Sequence, residues 1–221
     1  MNLVQLRRQS WNIGIIVLAL VLGLWRINQL PEFGSYEART FILGILPIAL
    51  LSMGQAVIII GGGASGLMCA ASAGQRGRKV LVLDSSNKVG KKILMSGGGR
   101  CNFTNLFVEP SNYLSANPHF CISALNRYTQ WDFIDLVTRY RIPYHERDHG
   151  QLFCNDSAKD ILAMLLTECE NLGVEISLGC QIQSIKQDAD SGFSLSTSSQ
   201  DYHCQSLVIA TGGLSIPKIG A

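Results

Sequence analysis

The strongest pattern along the chain is a short apolar run at 57–60 that is followed at once by glycines. A run in which every residue is apolar is typical of a parallel strand buried on both faces. Apolar and small residues at 67–75 then predict a helix, and a second apolar run at 79–83 predicts another strand. This order of strand, helix and strand predicts an α/β domain built on a parallel sheet.

The same analysis extends the fold toward the end of the chain. Apolar residues at helical spacing predict helices at 130–140 and 158–171. A segment at 174–177 predicts the third strand of the parallel sheet, and the segment 207–210 returns to the buried-strand pattern. Between them, three alternating segments separated by polar turns predict an antiparallel meander, at 181–187, 193–197 and 202–205.

The glycines after the first strand have the spacing G-x-G-x-x-G, formed by Gly61, Gly63 and Gly66. In a dinucleotide-binding unit the first glycine allows a tight turn, the second lets the backbone approach a pyrophosphate, and the third lets the helix pack on the strand. Asp84 lies at the end of the second strand, about 20 residues after the glycine turn, where a carboxylate can accept from a ribose hydroxyl. This context predicts a dinucleotide site rather than an ordinary glycine-rich turn.

Charge is informative through its distribution. The chain has 18 basic and 16 acidic residues; removing the four arginines and two glutamates of residues 1–52 leaves fourteen of each sign. There is therefore no overall basic field that would indicate nucleic acid binding. Basic residues are concentrated between 76 and 100. We expect the earlier ones to be solvated, whereas Lys91, Lys92 and Arg100 border three successive glycines and favour an anionic cofactor.

Those three glycines, at 97–99, mark a second place where the backbone could approach a ligand closely. Arg100, Asn102 and Thr104 follow with a charge and several hydrogen-bonding groups. A plain flexible loop is the alternative interpretation. The polar residues that follow favour a ligand-binding segment.

The placement of the cysteines and histidines limits the kinds of site that the sequence can form. The seven cysteines are scattered without a C-x-x-C pair, which argues against a disulfide framework, a zinc site or a dithiol centre and favours a reducing compartment, so we expect a cytoplasmic location. His145 and His149 lie among Glu146, Arg147 and Asp148. A catalytic or metal group is one interpretation of this cluster, and an exposed hairpin or turn is the favoured one.

Residues 1–52 differ from the rest of the chain and form an apolar N-terminal extension. Two arginines precede an aliphatic run, and a second apolar run follows; each has about 13 residues, short of the roughly 20 that span a bilayer. Three interpretations remain open: a membrane anchor through residues 11–30, an interfacial or signal-like element, or a start codon assigned too early. We favour the last, because Met53 directly precedes the first strand. This interpretation divides the chain into an extension at 1–52 and a dinucleotide-binding domain at 53–221.

The order of these elements resembles the FAD-binding flavoproteins of the glutathione-reductase type. Within that class, the segments KKILMSGGGRCNFTN at 91–105 and ATGGLSIPKIG at 210–220 are similar to one family. This is the bacterial YhiN/HI0933-like family of NAD(P)/FAD-dependent oxidoreductases, also named BaiN/RdsA. The resemblance covers about 53–221 and implies a Rossmann-like FAD/NAD(P)-binding fold with the three-stranded meander.

The resemblance also implies where FAD would lie. The pyrophosphate would contact Gly61, Gly62, Gly63, Ala64, Ser65 and Gly66, and the adenosine ribose would contact Asp84. Lys92, Arg100 and Asn102 would line the path toward the flavin. The backbone at Ile182, at the start of the meander, would face the adenine. Ala210, Thr211, Gly212 and Gly213 would return beneath the cofactor.

For function, the resemblance implies a flavoprotein that takes a hydride from NAD(P)H and reduces an unsaturated substrate, such as uracil in ribosomal RNA or a steroid-like ring. No catalytic residue or metal ligand can be named from these residues. Cys101 is a candidate redox partner, but we expect no second cysteine nearby and interpret it as a packing residue. Members of the family are longer, so we expect this chain to be a fragment. A nucleotide-binding remnant without activity, a membrane-tethered binding module and a nicotinamide-only dehydrogenase remain as alternatives.

Overall fold

The computed structural model describes residues 56–188 and 192–213. The expectations for the extension at 1–52, including the membrane segment, lie outside the described residues. Helices and strands follow one another in this order: β1 (Ala56–Ile60), α1 (Ala64–Gln75), β2 (Lys79–Leu83), α2 (Lys91–Met95), β3 (Asn102–Asn105), α3 (Ile122–Arg127), α4 (Gln130–Arg139), β4 (Tyr144–Arg147), β5 (Gln151–Cys154), α5 (Ala158–Asn171), β6 (Glu175–Ser177), β7 (Ile182–Asp188), β8 (Gly192–Thr197), β9 (Asp201–Cys204) and β10 (Ser206–Ile209).

The centre of the fold is a four-stranded parallel sheet in the order β10-β1-β2-β6. Strand β1 pairs in parallel with β2 on one side and with β10 on the other. Its residues 57–60 are all buried, as expected for a strand covered on both faces. The short strand β6 pairs in parallel with β2, which confirms the predicted third strand.

Two apolar clusters lie on opposite faces of this sheet because successive strand residues point to opposite sides. Ile59 and Val82 face helices α1 and α5, where they pack with Leu67 and Met164. Ile58, Ile60 and Leu83 face the meander, in a cluster that includes Leu195. The sheet is therefore covered by helices on one face and by β7-β8-β9 on the other.

The meander forms as predicted, with β7 antiparallel to β8 and β8 antiparallel to β9. Its strands begin and end within one residue of the predicted segments. The alternation of apolar and polar residues fixes the register, because a slip of one residue would turn the buried Leu195 to solvent.

A third, antiparallel sheet in the order β3-β5-β4 carries the histidine cluster. His145 lies in β4, and His149 occupies the turn to β5 with φ +62°, which confirms the hairpin interpretation. Within residues 56–188 and 192–213 there is no group of three or more His, Cys, Asp or Glu side chains that could hold a metal ion. Strands β3 and β5 and the short helices α2 and α3 are additional elements that the hydrophobic pattern did not predict.

Helix α4 buries one apolar face. Ile134, Leu136 and Val137 are buried, whereas Trp131 is 55% exposed. Thr129 caps the helix: its hydroxyl accepts from the Asp132 peptide N–H at 3.3 Å, and Asp132 accepts from Thr129 in return. These hydrogen bonds to the Thr129 side chain and backbone lower the pKa of Asp132.

The C-terminal end of α4 is fixed to α5 by one polar contact. The hydroxyl of Tyr140 donates to Glu168 Oε1 at 2.7 Å, and burial together with this carboxylate raises the pKa of Tyr140 to about 12. Tyr140→Phe is expected to lower the free energy of unfolding by ~1 kcal/mol at neutral pH, since a hydrogen bond to a charged acceptor is lost from a half-buried site. Urea unfolding measures the change.

The raised pKa also gives the sign of a pH effect. The folded protein holds the Tyr140 proton more tightly than the unfolded chain does, so this contribution is complete below about pH 10 and declines as the pH rises toward 12. The stability difference between wild type and Tyr140→Phe should therefore shrink over that range. A difference that grows with pH would contradict the contact.

All seven cysteines are free thiols, and six of them are buried.

Among the described residues, no helix is both long and apolar enough to cross a lipid bilayer.

Candidate functional site

A cleft of about 1190 Å³ opens at the carboxyl ends of the parallel strands. This edge of an open α/β sheet is where ligands bind, because the loops after the strands converge there. Most of the sequence-predicted site residues line it: Gly61, Gly62, Gly63, Ala64, Ser65, Asp84, Lys92, Asn102, Ile182, Ala210, Thr211, Gly212 and Gly213. Gly66 and Arg100 are not among the lining residues.

The first glycine turn leaves room for a ligand at one position only. Gly61 has φ +112°, and a Cβ there would overlap the carbonyl of Ala210. A Cβ on Gly66 would overlap the carbonyl oxygen of Gly61, so Gly66 packs the helix onto the turn from behind. In contrast, a Cβ on Gly63 would meet no atom within 4 Å. Gly63 therefore faces the open cleft.

Helix α1 presents its N-terminus to this open space. Its N-cap is Gly63, which makes no side-chain capping hydrogen bond, and the first turn contains no acidic residue. The first peptide N–H groups of a helix carry a partial positive charge and lack partners within the helix. With Lys91 and Lys92 also in the lining, this part of the cleft fits an anionic group such as a diphosphate.

Asp84 fixes the glycine turn from the neighbouring strand. Its Oδ2 accepts from the Gly62 N–H at 2.6 Å, and its Oδ1 accepts from the Ser86 N–H at 2.7 Å. On the other side of the same peptide segment, the Gly90 N–H donates to the Gly62 carbonyl at 2.8 Å. Each carboxylate oxygen keeps a second lone pair, so Asp84 can still accept from a sugar hydroxyl at the cleft.

Lys92 connects the segment after β2 to the loop after β10. Its ammonium group donates to the carbonyl of Gly213, and Gly212 lies beside it with φ +80°. The Ala210 N–H donates to the Ile60 carbonyl at 2.7 Å, which ties the start of the same loop to the first glycine turn. The loops after β1 and β10 are thus held together around the cleft.

The second glycine cluster lies outside the cleft lining. Gly97, Gly98 and Gly99 all have positive φ and form a tight turn, and none of them lines the cleft. A Cβ on Gly97 would lie 2.6 Å from the ring of Phe153, so this turn packs against β5. The exposed Arg100 belongs to the same turn, and its carbonyl accepts from the Cys154 N–H at 3.0 Å.

Cys101 lines the cleft and has Cys154 beside it across the β3–β5 pair. The expectation that no second cysteine is near is therefore wrong, because strand pairing joins residues far apart in sequence. Burial raises the pKa of the Cys101 thiol, and burial with the neighbouring Cys101 raises that of Cys154 to about 12. Both thiols stay protonated at neutral pH, which favours packing over a redox role.

At the meander end of the cleft, backbone groups of Ile182 are directed outward. The Gln181 carbonyl accepts from the Ser198 N–H at 3.0 Å, and Ile182 lies opposite Thr197. Hydrogen-bonded and non-bonded pairs alternate along an antiparallel ladder, so the N–H and C=O of Ile182 point away from β8. Ile182 lines the cleft, where these groups can meet the donor and acceptor edge of an adenine.

One part of the cleft lining was missed by sequence reasoning. It is apolar and aromatic, and consists of Met68, Phe103, Phe133, Ile161 and Leu165. Phe103 and Phe133 are in ring contact, with centroids 6.0 Å apart. Four of these residues, Met68, Phe133, Ile161 and Leu165, lie in helices that the sequence predicts. Nothing in the helical patterns indicated that they border a cavity, since core packing gives the same spacing.

A family model described as the HI0933-like protein Rossmann domain matches residues 55–221. The chain belongs to the HI0933-like family. Its members are FAD-binding oxidoreductases, so the match confirms the predicted Rossmann-like fold, the family resemblance and the flavoprotein class.

Two curated relatives extend the comparison. The ribosomal RNA dihydrouridine synthase of Escherichia coli K12 is 58% identical over 164 residues, which are 74% of this chain and 41% of that protein. The 3-dehydro-bile acid delta(4,6)-reductase of Clostridium scindens is 28% identical over 165 residues, 74% of this chain and 40% of that protein. This chain therefore spans about two-fifths of the length of these relatives.

Among solved structures, the 3-ketosteroid-delta4-(5alpha)-dehydrogenase of Rhodococcus jostii RHA1 matches with a TM-score of 0.51 and 15% identity. The match covers 71% of this chain and 45% of that one. It supports the fold alone.

Proposed function

We propose that the cleft binds FAD and that the protein reduces a carbon–carbon double bond with NAD(P)H as the electron donor. We further propose that the double bond belongs to a uridine base of ribosomal RNA. The observation that carries the substrate proposal is the 58% identity to a relative named ribosomal RNA dihydrouridine synthase. The geometry of the cleft supports the cofactor part independently.

The cleft suits FAD because its lining offers a different kind of contact to each part of the cofactor. Asp84 and the outward backbone of Ile182 can hold the adenosine, through a sugar hydroxyl and the base edge. The open space at Gly63, at the N-terminus of α1, can hold the diphosphate. The patch around Phe103 and Phe133 offers an apolar surface for a ring system.

A bound FAD supplies hydride transfer between a reduced nicotinamide and the double bond. The residues of this chain bind and orient it. Asp84 accepts from the Gly62 N–H and the Gly90 N–H donates to the Gly62 carbonyl, so protein contacts fix the backbone that would hold the diphosphate. Lys92 joins the segment after β2 to the loop after β10 and adds positive charge next to the diphosphate site.

A second substrate class has some support. The Clostridium scindens relative is named as a reductase of a bile acid, and 28% identity extends over most of the described domain. An unsaturated steroid-like ring is therefore the alternative substrate. The higher identity to the RNA-modifying relative favours uridine, and that substrate would place the reaction in the cytoplasm.

The test starts with the whole chain purified under reducing conditions. We expect a yellow protein with flavin absorption bands that NADPH bleaches under anaerobic conditions. Expression in a bacterial strain that lacks this modification should then restore dihydrouridine in its ribosomal RNA, measured by mass spectrometry of nucleosides.

Each outcome has a consequence. A colourless protein that takes up no FAD would contradict the cofactor proposal. If NADPH bleaches the flavoprotein but the protein reduces a bile-acid enone instead of uridine, the alternative substrate class replaces uridine. FAD binding without any reduction would favour the nucleotide-binding module over the enzyme.

A further inference from the structure

An ordered cation lies on one face of the β3-β5-β4 sheet, outside the cleft. The guanidinium carbon of Arg147 is 4.4 Å from the ring centroid of Phe153, and the ring of His145 stacks on Phe153 at 6.3 Å. Phe153 itself is buried and packs against Gly97. The ring therefore provides a fixed platform for the arginine.

The orientation of Arg147 is set by a short chain of hydrogen bonds. His145 Nδ1 lies 2.7 Å from Asn155 Oδ1, and the tautomer with its proton on Nδ1 satisfies this contact and leaves Nε2 as an acceptor. Arg147 Nε donates to that Nε2 at 3.4 Å. No hydrogen bond or ion pair within the described residues engages the terminal Nη groups of Arg147, which lies on the exposed surface.

On strand β4, basic and acidic side chains lie on opposite faces, although the overall charge is nearly balanced. Alternate residues of a strand point to opposite faces, so His145 and Arg147 share one face and Glu146 lies on the other with Tyr144. Tyr144 contacts Phe103 at 5.5 Å, which places that second face against the aromatic patch of the cleft. The partners of the cationic face on β5 are Gln151 and Phe153, both uncharged, and Asp148 follows in the turn.

The cationic face is close to the cleft. Asn102, which lines the cleft, lies opposite Phe153, and Phe153 lies opposite His145. Two strand spacings separate Asn102 from β4, a distance of about 10 Å. The exposed Arg100 belongs to the turn that packs on Phe153 and does not line the cleft.

We propose that Arg147, positioned by Phe153 and His145, binds a backbone phosphate of the RNA whose base enters the cleft. The inference rests on the proposed ribosomal RNA substrate and names its contact surface. A guanidinium presents paired donors that match phosphate oxygens, and contacts to phosphate fix the register of a nucleic acid without reading its sequence. A base that leaves its stack to enter an active site keeps its phosphates outside, next to the mouth.

The test measures RNA binding by the whole chain, with a fluorescein-labelled, uridine-rich RNA hairpin as the probe. Arg147→Ala is expected to weaken binding about 10-fold and to lower the slope of log K against log salt concentration by roughly 0.7 to 0.9. Arg147→Lys keeps the charge but loses the paired donors, so its slope should stay at the wild-type value while its affinity is intermediate.

Arg127→Ala is the matched control, because Arg127 is exposed on α3 and its loss changes the net charge equally. Its affinity should remain within about twofold of wild type. Equal losses in both alanine variants, no loss in Arg147→Ala, or a wild type without RNA affinity would each overturn the proposal. Melting temperature checks folding, and Arg147→Gln serves as a second variant if the alanine protein is unstable.

The same samples separate this inference from the proposed function. Flavin absorbance per protein should be equal in wild type and all variants, since Arg147 is outside the cleft lining. A yellow wild type that does not bind the hairpin would overturn the RNA contact and leave the flavoprotein class intact. A colourless wild type would overturn the proposed cofactor.

Discussion

Replacing Gly63 by valine is expected to weaken FAD binding while the folding free energy changes by no more than ~1 kcal/mol. The backbone at Gly63 has φ −85° and ψ −169°, an extended conformation that valine adopts readily. A Cβ there meets no protein atom within 4 Å, so the added methyl groups extend into the cleft. The small stability cost comes from losing glycine at a helix N-cap.

The expected loss of affinity is roughly 10- to 100-fold, because filling occupied space by a few methyl groups costs typically ~1–3 kcal/mol. Flavin absorbance per protein and a titration of the apoprotein with FAD measure it. Gly63→Ala, which adds one carbon, should show a smaller effect of the same sign.

Ser157→Val provides the opposite phenotype as a control. Ser157 caps α5 by accepting from the Lys159 N–H at 3.2 Å, and it does not line the cleft. Its replacement should lower stability by ~1 kcal/mol and leave FAD binding unchanged. If Gly63→Val retained FAD at the wild-type level, the placement of the diphosphate at the first glycine turn would be contradicted.

The parallel sheet and the meander could be predicted because their signals are local. Strand β1 is apolar at every position, and the meander strands alternate between turns, so each pattern specifies both an element and its exposure. Strands β3 and β5 could not be found in this way. They are four residues long, and their partners come from segments about fifty residues apart, so pairing and not local preference makes them strands.

The predicted residues that lie along the cleft come mostly from motifs that specify backbone geometry, whereas the lining formed by side chains that meet through the fold was not predicted. The spacing of Gly61, Gly63 and Gly66 implies a turn, and the structure brings these residues to the edge of the sheet. Arg100 was an equally plausible site residue because it follows three glycines. The turn that these glycines form packs on Phe153, and Arg100 is not part of the cleft lining. A run of glycines shows that the chain bends and does not show what it bends around.

Gly66→Ala should produce the largest loss of stability among these substitutions. Alanine is a better helix former than glycine by up to about 1 kcal/mol, so a free position in the first turn of α1 would gain stability from this change. At Gly66 the new Cβ would overlap the carbonyl oxygen of Gly61 and lie 3.0 Å from its carbon. Both are backbone atoms of a turn that is also tied to β2 and β10, so they cannot move aside without breaking contacts.

The expected cost is ~3 kcal/mol or more, which lowers the melting temperature of a domain of this size by about 6–12 °C. FAD affinity should fall as well, because relief of the overlap shifts the Gly61 turn, whereas Gly63→Val leaves the melting temperature nearly unchanged. Ser65→Ala, at the exposed neighbouring position, is the matched control and should stay within ~0.5 kcal/mol of wild type. A rise in melting temperature for Gly66→Ala would show that α1 does not pack on the turn through this glycine, and the close strand–helix contact on which the cofactor site depends would be wrong.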